Sequence, residues 1–110
     1  MTVRDWIVEH APIRKTPTAL TERMIAFLGD DAGRDAAEAS EACLGAASRA
    51  LEGLLQAGRF GRDSALDLLA VDALTTFAFE HASATGRQRE LLQLSEDGAR
   101  RLGQLALQRV

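Results

Sequence analysis

The sequence has little of what β-sheets are built from. It contains no tyrosine and one tryptophan, and valine and isoleucine together number seven among 110 residues. Strands favour β-branched and aromatic side chains, whereas helices favour the alanine, leucine, glutamate, glutamine and arginine that are abundant here. We therefore predict a single all-α domain, which at this length is large enough to bury its own core.

Cysteine and long apolar runs are also scarce. The one cysteine, Cys43, excludes an intrachain disulfide, and an unpaired thiol is typical of a reducing compartment. The first residues, MTVRDWIVEH, carry Arg4, Asp5 and Glu9, so they lack the apolar centre of a signal peptide. No apolar run approaches the ~20 residues of a membrane span. We expect a cytoplasmic protein that does not bind membranes.

A net positive charge and the common catalytic motifs are missing as well. The net charge of −3 gives no electrostatic footprint for nucleic acid. The sequence has no phosphate-binding loop, no GxGxxG, no paired-cysteine zinc spacing and no Glu-x-x-His. Both histidines directly follow a glutamate, as Glu9-His10 and Glu80-His81, and adjacent helical side chains point about 100° apart. We therefore predict no metal and no cofactor, and an enzyme is less expected than a binding protein.

Apolar residues recur at helical spacing, and glycine and proline interrupt the pattern at intervals. This predicts a four-helix bundle with an additional short N-terminal helix, its helices covering residues 3–10, 17–28, 34–57, 64–85 and 88–109. Between Ala65 and Phe79 almost every residue is apolar, so apolar side chains fall on nearly all sides of that helix. A helix of this kind is one that other elements surround, and we expect it at the centre of the bundle.

Two helix starts carry the spacing of a capping box, in which a hydroxyl and a carboxylate three residues later satisfy free backbone amides. Thr2 with Asp5 predicts one before the short N-terminal helix. Ser64 with Asp67 predicts another before the central helix.

Helix 34–57 has two faces on which another helix could pack. One is an ordinary core stripe, Leu44, Ala47, Leu51 and Leu55. The other is a ridge of small residues that allows close approach, Ala39, Ala42, Ala46, Ala50 and Gly53. Because a glycine within a helix costs roughly 1 kcal/mol, we expect Gly53 to have a compensating contact. The alternative is that alanine is simply a good surface helix former.

The last helix carries one apolar stripe and complementary charge. The stripe is Leu91, Leu94, Gly98, Leu102 and Leu105. We expect one helix with a kink at Ser95–Gly98, and the alternative is a split there, with Ser95 capping a second helix. Residues 30–56 carry six acidic side chains, whereas residues 86–110 carry five arginines. The charge pattern favours these two helices as neighbours, either within one chain or across a dimer.

A ligand site beside the central helix is one functional hypothesis. Asp72 lies in the most apolar stretch with Thr76 one turn later, and a buried carboxylate needs donors or a proton. His81 adds an acid/base group. The structural alternatives are an ion pair from Asp72 to a neighbouring arginine and a His81 whose charged form is favoured by the end of the helix.

The linker Gly58-Arg59-Phe60-Gly61-Arg62 is a candidate anion-binding loop. Arg59 and Arg62 supply charge, Gly61 frees the backbone, and a helix N-terminus follows. The alternative is an ordinary solvent-exposed interhelix connection.

Two classes of function remain. The first is a non-enzymatic interaction or regulatory protein that forms a homodimer through helix 34–57, helix 88–109 or both. Leu92, Leu107 and Val110 lie beside the main stripe of the last helix and would be covered by a second copy. The second is a small-ligand binder or minor enzyme with a pocket beside helix 64–85, and a partner protein cannot be named for either.

Overall fold

The computed structural model describes residues 1–59 and 61–108, and within them the chain is helical almost throughout, with no strand. Five α-helices follow one another along the chain: α1 (Val3–His10), α2 (Thr18–Leu28), α3 (Ala39–Ala57), α4 (Ala65–Thr85) and α5 (Gln88–Gln108). Short 3₁₀ turns lie between them at Gly29–Gly33, Ala36–Glu38 and Arg62–Ser64. The predicted all-α bundle with a short N-terminal helix is confirmed.

The apolar helix α4 lies at the centre, as predicted, and packs against α2, α3 and α5. Ala70, Leu74 and Ala78 are fully buried on its inner side. Its first turns are less enclosed, because Leu66 and Leu69 remain 41% and 56% exposed. The helix is therefore surrounded over its later turns but not at its start. None of the helices in the described part of the chain combines the length and apolar content that a membrane crossing needs.

The predicted start of helix 34–57 is wrong by five residues. The segment before α3 is held by the N-terminus, where Thr2 and Asp35 form an antiparallel bridge. The amide of Val3 donates a hydrogen bond to the carbonyl of Arg34 at 2.8 Å. The amide of Ala36 donates one to the carbonyl of Met1 at 2.9 Å. This pairing holds Arg34 and Asp35 in extended conformation, and a 3₁₀ turn at Ala36–Glu38 follows, so α3 begins only at Ala39.

One capping box is confirmed and the other is wrong. The amide of Asp5 donates to Thr2 Oγ1 at 3.1 Å, and the amide of Thr2 donates to Asp5 Oδ2 at 3.0 Å. Ser64 makes no such cap, because it ends a 3₁₀ turn and is itself 1% exposed. Asp67 points inward instead and pairs with an arginine of α2.

The small-residue ridge of α3 packs as predicted over its first half only. Ala39, Ala42 and Ala46 are at most 1% exposed. Gly53 is exposed, and a Cβ built on it would meet nothing within 4 Å. The compensating contact expected at Gly53 is therefore absent from the described part of the chain.

Helix α5 runs without a break through Ser95–Gly98 and packs on α3 and α4. Gly98 approaches α3 closely, since a Cβ there would lie 3.4 Å from Ser48 Oγ. Leu91 is buried, but Leu94, which was predicted in the same stripe, is 47% exposed. The helix therefore contacts the bundle along a narrower stripe than predicted.

The charge complementarity between residues 30–56 and 86–110 is satisfied within the chain. An ion pair joins Arg87 to Glu41 near the start of both helices. Further along, Arg101 Nε lies 2.5 Å from Glu52 Oε1. Because their order is the same along both helices, the two pairs support a parallel arrangement of α3 and α5.

Candidate functional site

Four rings cluster where α1 meets α4. Trp6 stacks on His10 with the ring centroids 4.8 Å apart and the planes 13° from parallel. The rings of Phe77 and His81 are nearly perpendicular to that of Trp6, with centroids 5.9 Å and 5.0 Å from the Trp6 centroid. Aromatic contacts of these types add stability beyond the area that they bury. The cluster fastens the N-terminal helix to the central one.

His81 lies inside this cluster and is 6% exposed. Its Nδ1 is hydrogen-bonded at 2.7 Å to the hydroxyl of Ser40 on α3. Burial lowers the pKa of His81, and the nearby charges of Arg87 and His10 lower it further, although a hydrogen bond to the Ala36 carbonyl acts in the opposite direction. The interpretation of His81 as a histidine charged by the end of its helix is therefore wrong, because desolvation disfavours the imidazolium.

Ser40 and His81 are the residue types of a catalytic nucleophile and its general base, but a substrate could not reach them. Ser40 is 2% exposed. The cavity beside it, bounded by Glu41, Arg87 and Leu91 among others, measures about 10 Å³, which is room for about one water molecule. The pair acts as a buried link between α3 and α4.

On the outer side of the ring cluster, Glu80 joins two groups from the N-terminal part of the chain. Its Oε2 is hydrogen-bonded to His10 Nε2, and its Oε1 lies 2.6 Å from Arg14 Nε. Histidine and arginine thus share one carboxylate, which fixes the end of α1 on α4. Because Glu80 and His81 are adjacent in the helix, their side chains point in different directions, so Glu80 lies outside the ring cluster and His81 lies inside it.

The three residues predicted to form a ligand site do not come together. Asp72 is exposed and Thr76 is half-buried, whereas His81 is inside the bundle. Nine residues separate Asp72 from His81, which puts the two on opposite sides of α4. The prediction of a buried Asp72 is wrong because its helix has an open side there.

The buried carboxylate of α4 is Asp67, which is 4% exposed. Its Oδ1 lies 2.5 Å from Arg23 Nε on α2, and this pair raises the pKa of Arg23. Sequence reasoning assigned Asp67 to a helix cap and so missed this role. Its spacing of seven residues from Leu74, two helical turns, is the signal that places it on the inner face.

The predicted anion loop is only partly assembled. Arg59, Gly61 and Arg62 are all exposed, and Phe60 between them lies outside the described residues. Arg59 lines a groove of about 350 Å³ between α2 and α3, whereas neither Gly61 nor Arg62 lines it. We call this the α2–α3 groove; it is lined by Arg23, Phe27, Arg49, Ala50, Gly53, Leu54, Ala57, Arg59 and Asp67.

A second, larger groove of about 590 Å³ lies between α3 and α5. Three arginines line it, but each already has an acidic partner. Arg34 donates to Glu38 at 3.0 Å and Arg49 to Asp31 at 3.2 Å. The third, Arg101, is paired with Glu52. All three arginines of this groove are therefore engaged in ion pairs within the chain.

One flank of α5 carries four exposed residues without charge, of which Ala99 also borders a groove formed with α3 and α4. Leu92, Ala99, Gly103 and Leu107 recur at i, i+7, i+11 and i+15, and the two leucines are 52% and 76% exposed. This spacing places all four on one side of the helix. We call this strip the outer face of α5. Val110, predicted to add to it, lies outside the described residues.

Within the described part of the chain, no three histidine, cysteine, aspartate or glutamate side chains are grouped to hold a metal ion. Comparison with known protein families, with curated proteins and with solved structures finds no match for this chain.

Proposed function

We propose that this domain is a non-enzymatic interaction module that pairs with a second copy of itself through the outer face of α5. The observation that carries the proposal is the exposure of Leu92 and Leu107 on α5. Among the described side chains of this helix, Leu91 is the one buried apolar residue. Apolar surface left uncovered in this way is typical of an interaction site.

A second copy fits this face because the order of large and small side chains along it is the same in both directions. The leucines lie at its two ends and the small residues Ala99 and Gly103 lie between them. In an antiparallel two-fold pair, Leu92 lies opposite the partner's Leu107, and the small residues let the two backbones approach. Closed two-fold symmetry is the commonest arrangement of soluble oligomers.

The charges along the face favour the same occupant. Glu96 lies on this face, one helical turn after Leu92, and Arg100 lies beside it, 2.6 Å from Asp97 of the same helix. In the antiparallel pair each Glu96 comes near the partner's Arg100, so that the two-fold axis creates two opposite-charge contacts. Such contacts contribute more to register and orientation than to affinity.

The packing of α3 supports α5 rather than α3 as the helix used in the proposed dimer. The first half of its small-residue ridge is already buried within the chain, as Ala39, Ala42 and Ala46 are at most 1% exposed. Helix α5 retains an uncovered face. From Leu92 to Leu107 this face extends about 22 Å, at 1.5 Å per residue, which is short for a stable interface. We therefore expect association in the micromolar range.

The experiment is sedimentation velocity on the full chain from about 1 to 200 µM. We expect the sedimentation coefficient of the wild type to rise with concentration toward that of a dimer, and Leu92→Glu to remain a monomer. Leu94→Glu is the matched control. Leu94 is 47% exposed on the same helix, but its side chain points about 160° from that of Leu92 around the helix axis. A wild type that stays monomeric, or two variants that associate equally, would contradict the proposal.

A further inference from the structure

The α2–α3 groove combines a basic rim with an uncharged floor. Of the charged residues that line it, Arg23, Arg49 and Arg59 are basic and Asp67 is acidic, in a chain whose net charge is −3. Its floor is the part of α3 around Gly53, where a Cβ would meet nothing within 4 Å. The groove is therefore a local positive region with open space at its base.

The guanidinium group of Arg23 is held by two neighbouring residues, and some of its N–H donors remain unused by the described part of the chain. Its Nε bonds to the buried Asp67 at 2.5 Å, and the centre of its guanidinium group lies 5.2 Å from the centroid of the Phe27 ring. Its two terminal amino groups make no hydrogen bond to any residue that the structure describes. Because Asp67 holds its Nε and Phe27 lies against its planar face, the guanidinium group presents its terminal N–H donors in a defined direction. This arrangement suits binding of a carboxylate.

Arg59 supplies a second cation to the same groove. It forms no ion pair within residues 1–59 and 61–108, whereas the guanidinium group of Arg49 is engaged with Asp31. The α3 residues that line the groove between them are uncharged and extend about 10 Å along the helix: Ala50, Gly53, Leu54 and Ala57. Phe27 and Leu54 provide apolar walls. The volume of about 350 Å³ is in the range of small-molecule sites.

We propose that the α2–α3 groove binds a small amphipathic carboxylate, with its carboxylate between Arg23 and Arg59 and its apolar body on the floor at Gly53. An anion without an apolar body would leave the floor empty, and an uncharged chain would leave both arginines without a partner. This site is separate from the outer face of α5 and does not depend on the proposed dimer.

The test is isothermal titration of the full chain with octanoate, alongside acetate and 1-octanol, each of which has one half of the required chemistry. We expect octanoate to bind at a single site and acetate and 1-octanol to bind at least tenfold more weakly. Arg59→Gln is expected to weaken octanoate binding about tenfold, because it removes one charge-assisted hydrogen bond. Arg62→Gln is the matched control, since this exposed arginine of the same linker does not line the groove.

A second variant, Gly53→Leu, fills the floor without touching either arginine. Helix propensity favours this substitution, so the variant is expected to keep the helical circular dichroism of the wild type and to lose octanoate binding. Equal affinity for octanoate and 1-octanol, equal effects of Arg59→Gln and Arg62→Gln, or full binding by Gly53→Leu would each overturn the proposal. An acidic peptide that binds where octanoate does not would overturn it in favour of a protein partner.

Discussion

Acidification is expected to destabilise the domain through His81. The pKa of His81 is lowered in the folded protein because the imidazole is buried between α1, α3 and α4, and unfolding returns it to its ordinary value of about 6.5. Below that pH the unfolded chain binds more protons than the folded one. The free energy of unfolding therefore falls as the pH decreases from 7.5, and the contribution of His81 is retained above about pH 7.

The size of the effect follows from proton linkage. If His81 stays unprotonated in the fold throughout, its contribution falls by ~1.4 kcal/mol between pH 7.5 and pH 5.5, which is the upper limit for one group with an unfolded pKa of about 6.5. Carboxylates titrate mainly below this window. The other histidine, His10, stacks on Trp6 and is hydrogen-bonded to Glu80, and it provides a control variant.

Urea denaturation followed by the fluorescence of Trp6, the single tryptophan, measures this directly. We expect the difference in unfolding free energy between the wild type and His81→Gln to shrink as the pH falls from 7.5 to 5.5. His10→Gln, in which His81 is intact, is expected to keep the His81 part of the pH dependence. A difference between the wild type and His81→Gln that does not change with pH would refute the reasoning.

Three further outcomes are expected. Arg23→Gln lowers the urea midpoint more than Asp67→Asn does, because it leaves a buried carboxylate without its cation, and a larger loss in Asp67→Asn would contradict this. Cys43, whose pKa is raised to about 12 by burial, reacts with a thiol reagent only as fast as the domain opens, so rapid labelling of the folded protein would be inconsistent with its position. Thr2→Ala removes the capping box of α1 and lowers the unfolding free energy by ~1 kcal/mol, whereas an unchanged urea midpoint would show that this cap is not stabilising.

The fold was predictable because its signals are local. Apolar spacing along the chain, with Gly58 and Gly86 as helix stops, places the helices within a few residues of their observed bounds. Both glycines have positive φ, of 65° and 73°, as a left-handed helix end requires. The start of α3 was missed because the backbone of Arg34 and Ala36 is hydrogen-bonded to the N-terminus, more than thirty residues away. Local helix propensity does not depend on such a distant pairing and so cannot predict it.

The candidate site was less predictable, since it depends on which side of each helix is covered. Asp67 and Asp72 are both acidic residues of α4 in apolar surroundings, yet one is buried and the other exposed. The difference arises from the position of α2, which brings Arg23 to Asp67 and leaves the opposite side of α4 open. Similarly, Arg59 was identified as a candidate anion-binding residue, but its companion in the groove is Arg23, from a helix thirty-six residues earlier.

Cysteine cross-linking tests the central claim, antiparallel pairing through the outer face of α5, most directly. Residue 99 lies midway between Leu92 and Leu107, so an Ala99→Cys side chain in each copy lies next to the two-fold axis. We predict that Ala99→Cys forms an intersubunit disulfide under mild oxidation at micromolar concentration, while Leu94→Cys, exposed on the opposite flank of α5, does not, and Cys43 is buried and does not contribute. Equal cross-linking of the two variants, or none with Ala99→Cys, would contradict the account.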